Sequence, residues 1–133
     1  MTAPAYMTTS WDDGHPLDLR VAALLSKYGL AGTFYVPAMT ERETMSAAQL
    51  RELVPDFEIG AHTIHHVDLT RVADERAWHE IVDSKSWVED NTGIPCTCFC
   101  PPIGGYAGSY SCPQNSAEMV VEVTKKPILI ICA

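Results

Sequence analysis

The sequence is short of positive charge, of long apolar runs and of late histidines. Nine Lys and Arg stand against 17 Asp and Glu, a formal net charge of −8 over 133 residues. That deficit argues against nucleic acid or an anionic membrane as partner, because both attract positive patches. No apolar run approaches the ~18 residues that a membrane span needs. The N-terminus lacks a basic segment followed by an apolar core, so no signal peptide is expected, although a processed secreted form would read the same. No segment repeats another, which excludes a repeat architecture. No histidine follows His79.

Cysteine is present but does not form a framework. The five fall at 96, 98, 100, 112 and 132, an odd number crowded late in the chain. Such a pattern argues against a disulfide scaffold and favours cytoplasmic residence. On a strand Cys96, Cys98 and Cys100 would share one face. They are expected as buried structural thiols rather than as a thiolate site.

What remains is a chain of one-domain size with strands and helices in alternation. Tyr6 to Ser10 reads as a first strand, rich in aromatic and β-branched residues. Gly14 permits a turn, and Pro16 suits the first turn of a helix. Leu17, Val21, Leu24, Leu25 and Tyr28 then recur at helical spacing as one apolar stripe, ended by Gly29. Gly32 to Val36 is a second strand, stopped by Pro37, and the β-α-β order predicts parallel strands. Ser46 is placed to cap a short helix bearing Leu50, Leu53 and Val54. Phe57 to Gly60 returns as a third strand. Asp74 is expected to cap a longer helix with Ala77, Trp78, Ile81, Val82 and Val88 on it, ended at Asn91-Thr92-Gly93. Cys96 to Cys100 reads as a fourth strand. The class is α/β.

Two strand ends carry the chemistry. The first runs into Asp12-Asp13-Gly14, and the third is followed at once by His62, His65 and His66. If the strands are parallel neighbours, these ends share the face where α/β proteins build their sites. One Asp and two His would make an open metal site, with a second Asp beside it as a base. Solvated turn carboxylates and surface histidines are the plain alternative. His65 is expected as a bystander, and His15 and His79 as solvated. Thr63 would either orient a histidine or serve as a turn hydroxyl. Trp78 and Trp87 are expected to pack, and Trp11 to line the pocket or the core.

These residues resemble a known family. Ser10-Trp11-Asp12-Asp13-Gly14 is similar to the first motif of the polysaccharide deacetylases (the NodB-homology domain, carbohydrate esterase family 4), Thr-Phe-Asp-Asp-Gly. His62-Thr63-Ile64-His65-His66 matches their second, His-Ser/Thr-x-x-His. Phe99-Cys100-Pro101-Pro102-Ile103-Gly104-Gly105-Tyr106 resembles the third, Phe-x-Tyr-Pro-Arg/Lys-Gly-x-Tyr. It departs at Pro101, where tyrosine is usual, and at Ile103, where relatives carry a basic residue that contacts the catalytic aspartate. The resemblance covers about residues 5 to 106.

The resemblance implies a (β/α) barrel of the NodB type with its site at the C-terminal strand ends. It implies Asp13, His62 and His66 as ligands of one divalent ion, zinc by preference, with cobalt or manganese as alternatives. Asp12 would be the catalytic base, and the backbone N–H at Tyr106 would bind the oxyanion. Trp11, Pro102 and Gly104 are expected against the substrate. The implied activity is metal-dependent removal of acetyl groups from an N- or O-acetylated saccharide. Two alternatives stay open. One is hydrolysis of a cyclic amide or ureide. The other is a catalytically impaired metal-binding remnant with a scaffolding role, because the family's later Asp-Trp element and Leu-x-His acid have no counterpart here.

Four strands do not close a barrel that wants about eight. The expectation is therefore a partial barrel over residues 1–106 with a divergent tail over 107–133. Met119 to Val123 and Ile128 to Cys132 are apolar runs of strand length. They are expected to cover the open edge or form an interface, and a homo-oligomer follows from the exposed edge.

Overall fold

Thr-Phe-Tyr-Val, β-branched and aromatic throughout, forms the middle of a parallel three-stranded sheet in a computed structural model that describes residues 7–104. The strands are β1 (Thr9–Trp11), β2 (Gly32–Val36) and β3 (Glu58–Ala61), in the order β1-β2-β3. Thr9 pairs with Gly32 and Trp11 with Phe34, while Thr33 pairs with Glu58 and Val36 with Ala61. Each strand begins within a few residues of its expected start. However, β1 and β3 are not neighbours, because β2 lies between them. Their C-terminal ends still share one edge of the sheet. Tyr106 and the tail runs Met119 to Val123 and Ile128 to Cys132 lie outside the described residues.

Every residue of β2 is buried, as befits a central parallel strand covered on both faces. Phe34 and Val36 point to the helices and join Leu50, Leu53, Ile59 and Ile81 in the main core. Phe34 meets Phe57 edge to face, with ring centroids 5.4 Å apart. Tyr35 turns to the opposite face, where it packs with Cys98 and Cys100.

Three helices follow the strands: α1 (Asp18–Lys27), α2 (Ala47–Leu53) and α3 (Asp74–Thr92). The expected apolar stripe of α1 is corrected. Leu17, Leu24 and Tyr28 are exposed, and the buried face runs through Ala22 and Leu25 with Val21 packed beside them. Small Ala22 lets the helix approach the sheet, and the larger side chains are left on the outer face. The cap of α2 is as expected. Ser46 Oγ accepts from the Gln49 N–H at 3.3 Å, and Gln49 Oε1 accepts from the Ser46 N–H at 2.8 Å. Such a reciprocal cap is worth about 1 kcal/mol. At α3 the cap residue is Ala73, and Asp74 lies inside the first turn. There, with Glu75, its charge suits the positive end of the helix dipole.

The fourth strand is also corrected. Phe99 makes an isolated parallel bridge with Ala61, held by Ala61 N–H to Cys98 O and Cys100 N–H to Ala61 O, both at 3.0 Å. Prolines at 95 and 101 bound the segment and limit its ladder to this one bridge.

Candidate metal centre

The turn after β1 is made by two successive left-handed residues, Asp13 at φ 70° and Gly14 at φ 60°. A Cβ on Gly14 would lie 2.6 Å from Val36 Cγ1, so only glycine fits. The Gly14 carbonyl accepts from the Met45 N–H at 2.8 Å, tying this turn to the approach to α2.

The turn after β3 contains two more residues in the left-handed region, Thr63 at φ 65° and His66 at φ 53°. Its carbonyls are taken by the segment that follows β2. Ala38 N–H donates to Thr63 O at 3.3 Å, and Met39 N–H donates to Ile64 O at 2.7 Å. Among the described residues the non-glycine positions with positive φ are Asp13, Thr63 and His66 in these two turns and Ile103 in the turn after the Phe99 bridge. Strain of this kind gathers where a site must be shaped.

These turns bring Asp13, His62 and His66 together. One candidate ligand atom from each lies within 4.8 Å of the others. His62 Nε2 is 3.4 Å from Asp13 Oδ1, and His66 Nε2 is 2.8 Å from the same oxygen. His62 is 2% exposed, and its Nδ1 lies 2.7 Å from the carbonyl oxygen of Cys100. A carbonyl can only accept, so Nδ1 carries the hydrogen and Nε2 keeps its lone pair for the site. Burial pushes the His62 pKa down, which holds the ring neutral, as a ligand must be. Two ring nitrogens and a carboxylate converging on one point suit a divalent cation with open positions.

Asp12 is exposed beside this triad. Its Oδ2 faces Cys100 Sγ at 3.9 Å. The same sulfur lies 3.7 Å from the Pro101 carbonyl oxygen, while Ile103, standing where relatives carry a basic residue, is 64% exposed with φ 66°. Burial raises the Cys98 pKa and pushes that of Cys96 up to about 11, so these are thiols rather than thiolates. Arg42 Nη1 donates to Asp13 Oδ2 at 3.0 Å from a side chain that is 75% exposed. A cavity of about 230 Å³ opens between Asp13, Pro37, Thr40, Glu41, Arg42, His65 and His66.

Other expected site residues fall elsewhere or are held differently. Trp11 is half-buried against the core and donates its Nε1–H to Thr9 Oγ1 at 3.0 Å. It does not line the cavity. Pro102 is buried in the short turn Pro102–Gly104, which ends the described residues. Thr63 Oγ1 is buried with no hydrogen-bond partner among the described residues. The Cys100 carbonyl, not Thr63, orients His62. His15 and His79 are exposed, as expected.

His65 stays outside the converging set, as expected, but it is anchored from α3. Its Nδ1 lies 2.8 Å from Oε1 of Glu80, a residue 3% exposed within α3. Glu80 was not among the expected site residues. The readable signal was an acid on the same helix face as Ala77, Ile81, Ser84 and Val88, where an apolar residue would normally stand.

The family model described as polysaccharide deacetylase matches residues 2–121, past Tyr106 and into the stretch read as tail. No curated protein matches the sequence. A Streptococcus pyogenes deacetylase in complex with acetate superposes with a TM-score of 0.80 at 17% identity, over 92% of this chain and 54% of that one. A family 4 acetyl xylan esterase from Clostridium thermocellum, in complex with a cobalt ion, gives 0.64 at 26% identity, over 74% and 49%. A CE4 family pseudoenzyme from Bacillus anthracis gives 0.72 at 14% identity, over 93% and 42%. The chain spans about half the length of these solved relatives. With its α/β fold and its family match over most of its length, the chain belongs to the polysaccharide deacetylase family.

Proposed function

We propose that this chain is a metal-dependent hydrolase of acetylated saccharides, with Asp13, His62 and His66 as the ligands of one divalent ion. The observation that carries this reading is the meeting of those three side chains, with His62 Nε2 kept free by the bond from Nδ1 to Cys100 O. Zinc suits the donor set, and the cobalt ion in the Clostridium thermocellum relative makes cobalt a useful probe. When bound, the ion supplies a water of lowered pKa and polarises the acyl carbonyl. Asp12 takes the proton from the attacking water, and the Cys100 thiol contacts the carboxylate from the far side. The cavity beside Asp13 and His66 receives the acetyl-bearing sugar. Tyr106 would supply its backbone N–H to the oxyanion.

Within these 133 residues no histidine follows His79 to protonate a leaving amine. General-acid help is typically worth about 10²–10⁴-fold. Acetyl esters, whose alkoxide leaves more readily, should therefore turn over faster than matched acetamides. The test is acetate release from paired ester and amide substrates, with and without added zinc or cobalt. Metal-dependent release that Asp12→Asn abolishes while metal stays bound supports the reading. Release that ignores both metal and Asp12 sinks it.

A second reading is a metal-binding domain with impaired catalysis. It is favoured by the partner of Asp12, a neutral thiol where relatives use a basic side chain. Metal uptake without acetate release from any substrate would select it.

A further inference from the structure

We infer that Glu80 is the positioning residue of the centre: from inside α3 its carboxylate fixes the strained turn that presents His66 opposite His62. The inference rests on the ligand set proposed above. Glu80 Oε2 accepts from the Ile64 N–H at 3.0 Å and from the His65 N–H at 2.9 Å. Oε1 is bonded to His65 Nδ1 at 2.8 Å, and Arg76 Nε stands 3.7 Å from that oxygen. A carboxylate this deeply buried is costly unless its oxygens are used, and here both are.

The clamped dipeptide Ile64-His65 lies between the two candidate ligands. It is bracketed by Thr63 and His66, both in the left-handed region, and Thr63 is β-branched. Such a conformation persists only where its surroundings over-determine it. Two sets of bonds do so. The segment after β2 takes the carbonyls of Thr63 and Ile64, and Glu80 takes the N–H groups of Ile64 and His65. Without Glu80, two backbone donors lose their acceptor and the turn can relax toward ordinary φ.

The two histidines would respond differently. His62 is held independently by the Cys100 carbonyl. The backbone of His66 follows the clamped dipeptide directly, and its ring reaches Asp13 from a side chain still 26% exposed. Loss of Glu80 should therefore free His66 while sparing His62, so that metal binding weakens rather than vanishes. An effect of this kind, through a group that holds a ligand without touching the ion, is typically about 10–100-fold in affinity.

The experiment uses the full chain, metal-free, as wild type, Glu80→Ala, Glu80→Gln and the exposed control Asp83→Ala. Cobalt affinity is read from visible absorption on titration. Amide exchange is read over residues 61–67 and over α3. Glu80→Ala should bind cobalt about 10–100-fold more weakly, with an altered absorption band from the lost nitrogen ligand. Exchange should rise at 64 and 65 while the middle of α3 stays protected. Glu80→Gln keeps the shape and one acceptor oxygen, so it should fall between the two, and Asp83→Ala should match wild type. If Glu80→Ala does not fold, Glu80→Gln carries the test, with several-fold weaker cobalt binding expected at near-normal melting temperature. Unchanged cobalt affinity in the folded Glu80 variants, or unchanged exchange over 61–67, overturns the inference. If the wild type itself takes up no cobalt, the ligand reading has failed, and the metal role assigned to Glu80 falls with it. The exchange data then say separately whether the clamp on the turn exists.

Discussion

Two turns deliver side chains to the same point, and they are held by opposite means. The aspartate turn after β1 is held by shape, with Gly14 pressed against Val36 and two successive left-handed residues reversing the chain. Apart from the two histidines it meets at the site, the partner of its Asp13 carboxylate among the described residues is Arg42, which is exposed. The histidine turn after β3 has no glycine within it. It is held by polar bonds from three directions: the segment after β2, the Cys100 carbonyl and the buried Glu80 carboxylate. A steric solution announces itself locally as Asp-Asp-Gly, whereas a polar clamp draws on residues far along the chain.

The comparison can be broken at each point. The largest effect is expected at His62, where both halves meet. His62→Ala should abolish stoichiometric metal uptake by elemental analysis, and an unchanged ratio of metal to protein would remove His62 from the ligand set. Next comes the steric turn itself. Gly14→Ala should cost about 3 kcal/mol of stability, from overpacking against Val36 plus a strained φ. Thermal melting checks it, and an unchanged midpoint would mean that shape does not hold this turn.

Arg42 should matter far less, and in the opposite direction. Its guanidinium opposes a cation at Asp13 but is mostly in water. Arg42→Ala should strengthen cobalt binding a few-fold at low ionic strength, with the gain fading as salt is added. Weaker binding in the variant would show that Arg42 supports the site instead.

The smallest effect is expected at Asp18, in the first turn of α1. Its Oδ2 is buried with no hydrogen-bond partner among the described residues, and burial pushes its pKa up. A raised acid pKa means that the folded chain holds the proton longer than the unfolded one. Stability therefore falls as pH rises from the ordinary carboxylate value to the raised one, and the deficit persists at neutral pH. Asp18→Asn should raise the melting temperature slightly at pH 7 and leave it unchanged near pH 3. A gain that is equal at both pH values would assign the effect to packing.

Much of this was legible because it is local. Strand β2, the Ser46 cap and the glycine that ends α3 are set by a few adjacent residues, and the sequence reading places them correctly. The meeting of Asp13, His62 and His66 was legible through the resemblance of their two motifs to those of the family, whereas strand-end position alone left open which aspartate and which histidines would meet. What escaped depends on tertiary choice. The face that α1 buries could not be told from a rival stripe of larger residues, because Ala22 matters through the close approach it allows. Alternating Cys96 to Cys100 has the pattern of a strand, but pattern does not supply a ladder beyond the single bridge at Phe99. Glu80 was hidden because its partners are the backbone of a turn some fifteen residues earlier.

Cys100 divides its duties between main chain and side chain. Its N–H holds Ala61 and its carbonyl fixes the tautomer of His62, while only its thiol reaches Asp12. Any amino acid with an N–H can perform the first two tasks. The side chain at 100 is consequently a separate dial on Asp12: exchanging it alters the neighbour of that carboxylate and leaves the lone pair of His62 where it was. On the function proposed above, natural variation or laboratory selection at this one codon would retune proton transfer without rebuilding the site of the ion.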